Sequence, residues 1–150
     1  MKIVKGDLIE LTLAGHFDVI IHGCNCFCTM GAGIARVIKS NFPQAFQADV
    51  QTGRADQNKL GTYSLAKIDN NGSYFMVINA YTQYDFVGNG VLVDYKAVKN
   101  IFSSIKNDFA DKRIGYPKIG AGLAKGDWSI ISKIIDKELQ GVDHTLVEYG

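Results

Sequence analysis

The segment His22-Gly-Cys-Asn-Cys-Phe-Cys-Thr-Met-Gly-Ala-Gly-Ile-Ala35 joins a predicted strand to a predicted helix. An apolar run, residues 17–21, precedes it, and residues 34–42 follow it with helical spacing. A strand end that opens onto a helix N-terminus presents unpaired backbone N–H groups at the positive end of the helix dipole. The glycines at positions 31 and 33 allow a ligand to approach that backbone closely. The segment therefore predicts a pocket for a sugar phosphate or a nucleotide.

Two common phosphate-binding loops are excluded by the spacing of these glycines. The dinucleotide fingerprint places three glycines directly after the strand, whereas Gly31 and Gly33 come later and Arg36 occupies the third position. A Walker-type loop requires the triplet Gly-Lys-Ser/Thr, which this sequence lacks. Two glycines alone are also compatible with a simple tight turn.

The composition is typical of one soluble domain. A length of 150 residues predicts a single domain over residues 1–150, and a hydrophobic content of 47% is enough to build its core. A formal net charge of +1 provides no field that would attract nucleic acid, so no direct nucleic-acid binding is predicted. No apolar signal region and no membrane-spanning run are visible, so we expect a cytoplasmic protein without membrane contacts.

The three cysteines, Cys24, Cys26 and Cys28, alternate within one short segment. This spacing is poor geometry for bridges between them, which favours free thiols in a reducing compartment. A Cys-x-Cys-x-Cys pattern without a second ligand pair is also a weak metal-binding signal. We therefore predict neither a metal site nor a cofactor.

Strands that alternate with helices predict a layered α/β fold. Asp69-Asn-Asn-Gly72 predicts a hairpin turn, and Asp94 and Asp127 are predicted helix caps. The hairpin and the N-terminal strand are expected to make the sheet mixed. Strands are predicted over residues 2–10 (broken at Gly6-Asp7), 18–22, 60–68, 74–81, 113–119 and 144–149, and helices over 33–41, 43–52, 94–109 and 128–139.

Three motifs occur in a distinctive order and spacing. They are Gly6-Asp-Leu8 after the first strand, Asn25 followed by Met30-Gly-Ala-Gly-Ile-Ala35, and Pro117-Lys-Ile-Gly-Ala-Gly-Leu123. Together they resemble the macro domain family, whose members bind ADP-ribose. The resemblance covers nearly the whole chain. It implies a three-layer α/β/α fold with a central mixed sheet, and a cleft at the carboxyl ends of the strands.

The segments His22-Gly-Cys-Asn25 and Ile119–Trp128 look most like the branch that contains ADP-ribose-1''-phosphate phosphatases. This resemblance implies metal-independent removal of the terminal phosphate, which yields ADP-ribose and inorganic phosphate. Two alternatives stay open. One is a non-catalytic module that binds ADP-ribose or ADP-ribosylated macromolecules, and the other is a hydrolase of ADP-ribosyl groups or O-acetyl-ADP-ribose. The residues typical of two hydrolase branches are missing, since Gln83, Ala124 and Ala35 occupy their positions.

The resemblance also implies ligand contacts. Asp7, Leu8 and Tyr149 would contact the adenine, and Asn25 would bind the distal ribose. Backbone N–H groups would hold the distal ribose with its phosphate and the diphosphate. The residues concerned are Gly31, Ala32, Gly33 and Ile34 in the first glycine loop, and Gly120, Ala121, Gly122 and Leu123 in the second.

Three residues are predicted to be catalytic. Asn25 would fix the ribose, while His22, together with Asp127, would move protons or orient water, because an imidazole can change charge near neutral pH. The alternative for His22 is an ordinary core histidine. The alternative for Asp127 is a helix N-cap without a chemical role.

Overall fold

The centre of the computed structural model, which describes residues 1–150, is a six-stranded sheet. Its strands are β1 (Lys2–Lys5), β2 (Val19–Cys24), β3 (Tyr63–Asn70), β4 (Ser73–Tyr81), β5 (Ile114–Tyr116) and β6 (His144–Glu148). They lie in the order β1-β6-β5-β2-β4-β3. Strand β2 is central and parallel to both β4 and β5.

The sheet is mixed, as predicted, but for one reason rather than two. Only β3 runs against its neighbour, through the hairpin with β4. Strand β1 lies parallel to β6, with Lys2 opposite Thr145 and Lys5 opposite Glu148. The expectation that the N-terminal strand contributes to the mixing was therefore wrong.

Helices cover both faces of the sheet. They are α1 (Leu8–Leu13), α2 (Gly33–Asn41), α3 (Pro43–Gln51), α4 (Tyr95–Phe109) and α5 (Trp128–Glu138), with a 3₁₀ turn at Gln57–Lys59. Alternate residues of β2 face opposite sides: Val19 and Ile21 pack with α4 and α5, and Ile20 packs with α1, α2 and α3. The predicted three-layer α/β/α architecture is confirmed. None of these helices is long and apolar enough to cross a lipid bilayer.

The N-terminal segment differs from the prediction of a strand over residues 2–10. The strand ends at Lys5, and Leu8 begins a helix of six residues. Asp7 is its N-cap, because the Asp7 Oδ1 atom accepts a hydrogen bond of 3.0 Å from the Glu10 backbone N–H. Leu8 and Thr12 lie one turn apart and are both buried. One amphipathic turn leaves too short a pattern to distinguish from strand alternation.

The other helix and strand boundaries lie close to the predicted caps and turns. Asp94 and Asp127 cap α4 and α5. The hairpin turn contains Asn71 and Gly72, both with positive φ. Strand β5 is shorter than predicted and ends at Tyr116, because Pro117 follows it and cannot donate to the sheet.

Candidate functional site

A cleft of about 500 Å³ opens at the carboxyl ends of β2 and β5. These parallel strands are neighbours in the sheet, so the loops that follow them meet at one edge. The first loop comprises residues 25–32 and leads into α2. The second loop comprises residues 117–126 and leads toward α5. Both glycine-rich motifs of the sequence therefore line one cavity.

The first loop ends in an open helix N-terminus. Ala32 is the N-cap of α2 and has no side chain that could satisfy the first turn. The backbone N–H groups of Gly31, Ala32, Gly33, Ile34 and Ala35 donate to no acceptor in the protein. All five residues line the cleft. Unpaired N–H groups at the positive end of a helix dipole favour binding of an anion.

The second loop presents a matching set of unpaired donors. The N–H groups of Gly120, Gly122, Leu123 and Ala124 have no acceptor within the protein. Gly120 has a φ of +75°, a conformation that favours glycine. The Leu123 Cδ1 atom lies 3.7 Å from the position that a Cβ atom on Gly33 would occupy. The two loops therefore face each other at close range across the cleft.

Asn25 lines the cleft and also shapes the first loop. Its Oδ1 atom accepts a hydrogen bond of 2.8 Å from the Phe27 N–H, and its Nδ2 atom donates to Thr29 Oγ1 at 2.8 Å. Phe27 in turn packs edge-on against Tyr84 and Phe86, which places Phe86 at the cleft. The loop between β4 and α4 is thereby held beside the first loop.

The structure does not bring His22 to the cleft. The imidazole is fully buried, and its Nε2 atom donates a hydrogen bond of 2.6 Å to Asn79 Oδ1. The orientation of the Asn79 amide is set by its other end, which donates to Ala45 O and Ser64 Oγ. Burial lowers the pKa of His22 to about 4. His22 is therefore a neutral core histidine in this structure, and its predicted contact with the reacting groups has no support from the geometry.

Asp127 also lies outside the cleft. Its Oδ1 atom accepts hydrogen bonds from the Ser129 N–H at 2.9 Å and from Ser129 Oγ at 2.7 Å. These bonds from Ser129 hold the pKa of the carboxyl below its usual range. A capped, ionised carboxylate in this position serves the start of α5, so a direct catalytic role is not supported.

The predicted adenine contacts lie together beyond the cleft. The Gly6 N–H donates to Glu148 O at 2.8 Å, so the residues after β1 and β6, including Asp7 and Tyr149, are neighbours. Tyr149 is 89% exposed, and the Leu8 side chain is buried. Because β6 adjoins β5, this corner continues the same sheet edge past the second loop. Ala121 is the one predicted loop residue that does not line the cleft itself.

The cleft also contains a carboxyl group that was not predicted from the sequence. Asp49 lies on α3, is only 1% exposed and lines the cleft. The signal was present, because Asp49 follows the buried Ala45 by four residues and so shares its face of the helix. A carboxyl group on an apolar helix face is the feature that could have identified it. No group of three or more side chains is arranged as a metal site.

Thr82 lies under the floor of the cleft and leads to a stability prediction. Its Oγ1 atom is fully buried without a hydrogen-bond partner, and it lies 2.9 Å from where a Cβ atom on Gly23 would be. We expect Thr82→Val to raise the free energy of unfolding by about 1 kcal/mol, because the valine has no unpaired hydroxyl. Urea denaturation would measure this difference.

The matched control for that prediction is Thr12→Val. Thr12 is equally buried, but its Oγ1 atom donates to Leu8 O at 2.6 Å. We expect this second substitution to lower the free energy of unfolding by about 1 kcal/mol. A loss of stability in Thr82→Val would contradict the assignment of an unpaired hydroxyl.

Comparison with known proteins gives consistent matches. The family model for the macro domain matches residues 21–135. An uncharacterised 17.5 kDa protein of Enterobacteria phage T4 is 35% identical, covering 99% of this chain and 96% of that protein. The ADP-ribose glycohydrolase OARD1 of Bos taurus is 27% identical, covering 97% and 88%. The ADP-ribose 1''-phosphate phosphatase of Debaryomyces hansenii is 27% identical, covering 91% and 93%.

Solved structures agree on the fold. The macrodomain of Mycobacterium tuberculosis DarG superposes with a TM-score of 0.76 at 18% identity, covering 98% of this chain and 96% of that one. Thermosipho africanus DarTG in complex with ADP-ribose gives a TM-score of 0.74 at 15% identity, covering all of this chain and 42% of that one. At these identities the likeness concerns the fold alone.

Proposed function

This chain belongs to the macro domain family, and from that premise we propose that it binds ADP-ribose-1''-phosphate in the cleft and hydrolyses its terminal phosphate. The products are ADP-ribose and inorganic phosphate. A relative that is 27% identical carries the name of this activity. The cleft itself supplies the physical argument.

The observation that carries the proposal is the pair of facing loops with unpaired N–H donors. The first set, Gly31–Ala35, and the second set, around Gly120–Ala124, can each hold one anionic group. ADP-ribose-1''-phosphate has two such groups, a central diphosphate and a terminal phosphate. The match between two donor sets and two anions favours this ligand over one with a single phosphate. It also explains why a net charge of only +1 is sufficient.

The order of the loops along the sheet edge supports one direction for the ligand. The second loop would hold the diphosphate, and the corner formed by Asp7 and Tyr149 next to it would receive the adenine. The distal ribose would then lie against Asn25, with its phosphate at the N-terminus of α2. Backbone N–H groups in place at that end would stabilise the charge of the transferring phosphoryl group, which is the main requirement of phosphoryl transfer.

A second candidate function has its own supporting observation. His22 is a buried neutral histidine, and Asp127 is a helix cap, so neither predicted proton carrier lies in the cleft. A cleft with donors but without these residues suits a module that binds ADP-ribose without turnover. A hydrolase of ADP-ribosyl groups, the activity named for OARD1, shares the ligand and is a further outcome of the test below.

The test is phosphate release from ADP-ribose-1''-phosphate, with and without a chelator, by the wild type and Asn25→Ala. We expect chelator-resistant turnover by the wild type and a loss of about 10- to 100-fold in kcat/KM in the variant, since it removes the contact to the ribose. Asn107→Ala, at an exposed position of α4, is the control that should keep wild-type turnover.

The other outcomes separate the candidates. ADP-ribose binding without phosphate release would replace the phosphatase proposal by the binding module. Release of ADP-ribose from modified proteins, again without phosphate release, would replace it by the ADP-ribosyl hydrolase. Calorimetry with ADP-ribose and an assay on an ADP-ribosylated protein make these distinctions directly.

A further inference from the structure

Only three side chains that line the cleft can ionise: Cys24, Asp49 and Lys118. Burial raises the pKa of the Cys24 thiol well above its usual range, so this group stays protonated. Lys118 is exposed at the rim, 4.0 Å from Glu148. Asp49 is therefore the only carboxyl group of the cleft.

Asp49 lies under the first loop, at the end of the cleft proposed for the distal ribose. The Cys28 thiol donates to the Asp49 backbone carbonyl at 3.3 Å, which ties α3 to the first loop. Asn25, Thr29 and Met30 of the same loop line the cleft alongside Asp49. The carboxyl group is thus on the side of the cleft where the proposed reaction occurs.

A chain of hydrogen bonds fixes the orientation of the Asp49 carboxyl group. His22 Nε2 donates to Asn79 Oδ1 at 2.6 Å, and Asn79 Nδ2 donates to Ser64 Oγ at 3.0 Å. Ser64 Oγ then donates to the Tyr81 hydroxyl at 2.8 Å, and that hydroxyl donates to Asp49 Oδ1 at 2.7 Å. Every donor in this chain points toward Asp49, so Oδ1 is occupied.

The second carboxyl oxygen is free for a ligand. Asp49 Oδ2 accepts no hydrogen bond from the protein. The only fully buried side-chain oxygen or nitrogen without a partner is Thr82 Oγ1, so Asp49 Oδ2 is not fully buried. Asp49 Oδ2 must therefore reach open space, and the open space beside Asp49 is the cleft.

The surroundings of Asp49 make its carboxyl group easier to protonate than that of a free aspartate. Burial raises the pKa of the carboxyl group, and this effect exceeds two opposing ones, the hydrogen bond from Tyr81 and the positive charge of Lys59. The remaining titratable groups that face it are the thiols of the first loop and the end of β2, Cys24, Cys26 and Cys28. Burial raises the pKa of Cys24 and also that of Cys26, to about 11, so these two thiols add little charge near neutral pH.

We infer that Asp49 is the general acid of the proposed reaction, with its Oδ2 atom donating a proton to the leaving oxygen of the distal ribose. This inference rests on the proposed phosphatase function. The ribosyl oxygen is a poor leaving group unless it is protonated as the bond to phosphorus breaks, which is the task of a positioned acid.

The step balances without a further reactant. The oxygen of a water molecule forms a bond to phosphorus, while the bond between phosphorus and the ribose oxygen breaks with its electron pair on that oxygen. The ribose oxygen takes the proton from Asp49 Oδ2, and the proton lost by the water remains on the phosphate product. The Tyr81 hydroxyl stabilises the resulting carboxylate, which then takes up a proton from solvent.

The test is Asp49→Asn. Asparagine keeps the size of the side chain and an Oδ1 atom for the Tyr81 hydroxyl, but its amide has no transferable proton. We expect kcat for phosphate release to fall by about 100-fold or more, with the Kd for ADP-ribose within about threefold of the wild type. Asp56→Asn is the matched control, because Asp56 lies outside the cleft and caps the 3₁₀ turn. Its kcat should equal that of the wild type.

The pH profile separates a proton donor from a merely structural carboxyl group. A general acid must be protonated, so wild-type kcat should fall as the pH rises through the pKa of Asp49, and Asp49→Asn should lack this decline. Tyr81→Phe removes a hydrogen bond that lowers that pKa, so the decline should move to higher pH. This second variant keeps the test decisive if Asp49→Asn does not fold.

Two results would overturn the inference. If Asp49→Asn retains kcat within about threefold of the wild type, or the decline with pH stays in place in Tyr81→Phe, Asp49 does not donate the proton and the phosphatase proposal survives. If the wild type releases no phosphate, both proposals fall together.

Discussion

Gly126→Ala is expected to disrupt the second loop and to abolish ligand binding. A Cβ atom at residue 126 would lie 2.5 Å from Gly120 O, 2.5 Å from Val93 Cγ1 and 2.8 Å from Ile131 Cδ1. The Gly120 carbonyl cannot move away, because it accepts a hydrogen bond of 2.7 Å from the Gly126 N–H. We expect the free energy of unfolding to fall by about 3 kcal/mol, as in severe overpacking.

The loss of binding follows from the same contact. The loop that Gly126 closes presents the unpaired N–H groups of Gly120, Gly122 and Leu123. A shift of about 1 Å in those donors removes their common geometry, so affinity for ADP-ribose should fall by about 100-fold or more. Urea denaturation and titration calorimetry would measure the two effects.

Gly122→Ala is the stability control for this experiment. A Cβ atom at residue 122 would meet nothing within 4 Å, so we expect a change below about 0.5 kcal/mol in the free energy of unfolding. Equal losses of stability in the two alanine variants would contradict the steric explanation for Gly126.

Lys59→Met is expected to produce the second large loss of stability. The Lys59 side chain is 5% exposed, and its Nζ atom donates to Gly53 O at 2.8 Å and to Cys26 O at 3.2 Å. The ammonium group also lies 4.6 Å from the centre of the Tyr81 ring. Methionine fills similar space but leaves both carbonyls without this donor. We expect the free energy of unfolding to fall by about 3 kcal/mol.

The same substitution should act on Asp49. The positive charge of Lys59 lowers the pKa of that carboxyl group, so its removal should raise the pKa and move the decline of kcat to higher pH. Lys106→Met, on the exposed face of α4, is the matched control, and its change in stability should stay below about 0.5 kcal/mol. A comparable loss in both methionine variants would show that Lys59 does not anchor the first loop.

Much of the fold was predictable because local signals mark its boundaries. Pro43 begins α3, Asp94 and Asp127 cap α4 and α5, and Asn71-Gly72 closes the hairpin. These signals act within a few residues, so a single sequence is enough to recognise them. The strand over residues 2–10 failed because α1 has only one amphipathic turn, which is too short a pattern to recognise even though Gly15 follows its C-cap Ala14 as a helix stop.

The candidate site also has a part that was predictable from the sequence and a part that was not. The backbone donors of both loops were predictable, because glycine spacing after a strand is a local property. The roles of His22 and Asp49 were not, because each depends on distant segments. Asn79, 57 residues away, holds His22 in the core, and Tyr81, 32 residues away, orients Asp49. Residue type alone favours His22 as the proton carrier. The packing favours Asp49 for this role, because only Asp49 lines the cleft.

The pairing of β1 with β6 has a consequence for how the chain folds. The first strand has no other partner in the sheet, and its partner comprises residues 144–148. During synthesis, β1 must therefore remain unpaired until residues 144–148 have been made. Such long-range parallel pairing is slow, because its loop-closure entropy is lost before any contact forms. The corner at Asp7 and Tyr149 is thus the last part to assemble, and an interrupted chain would carry a sheet that lacks its β1–β6 pair.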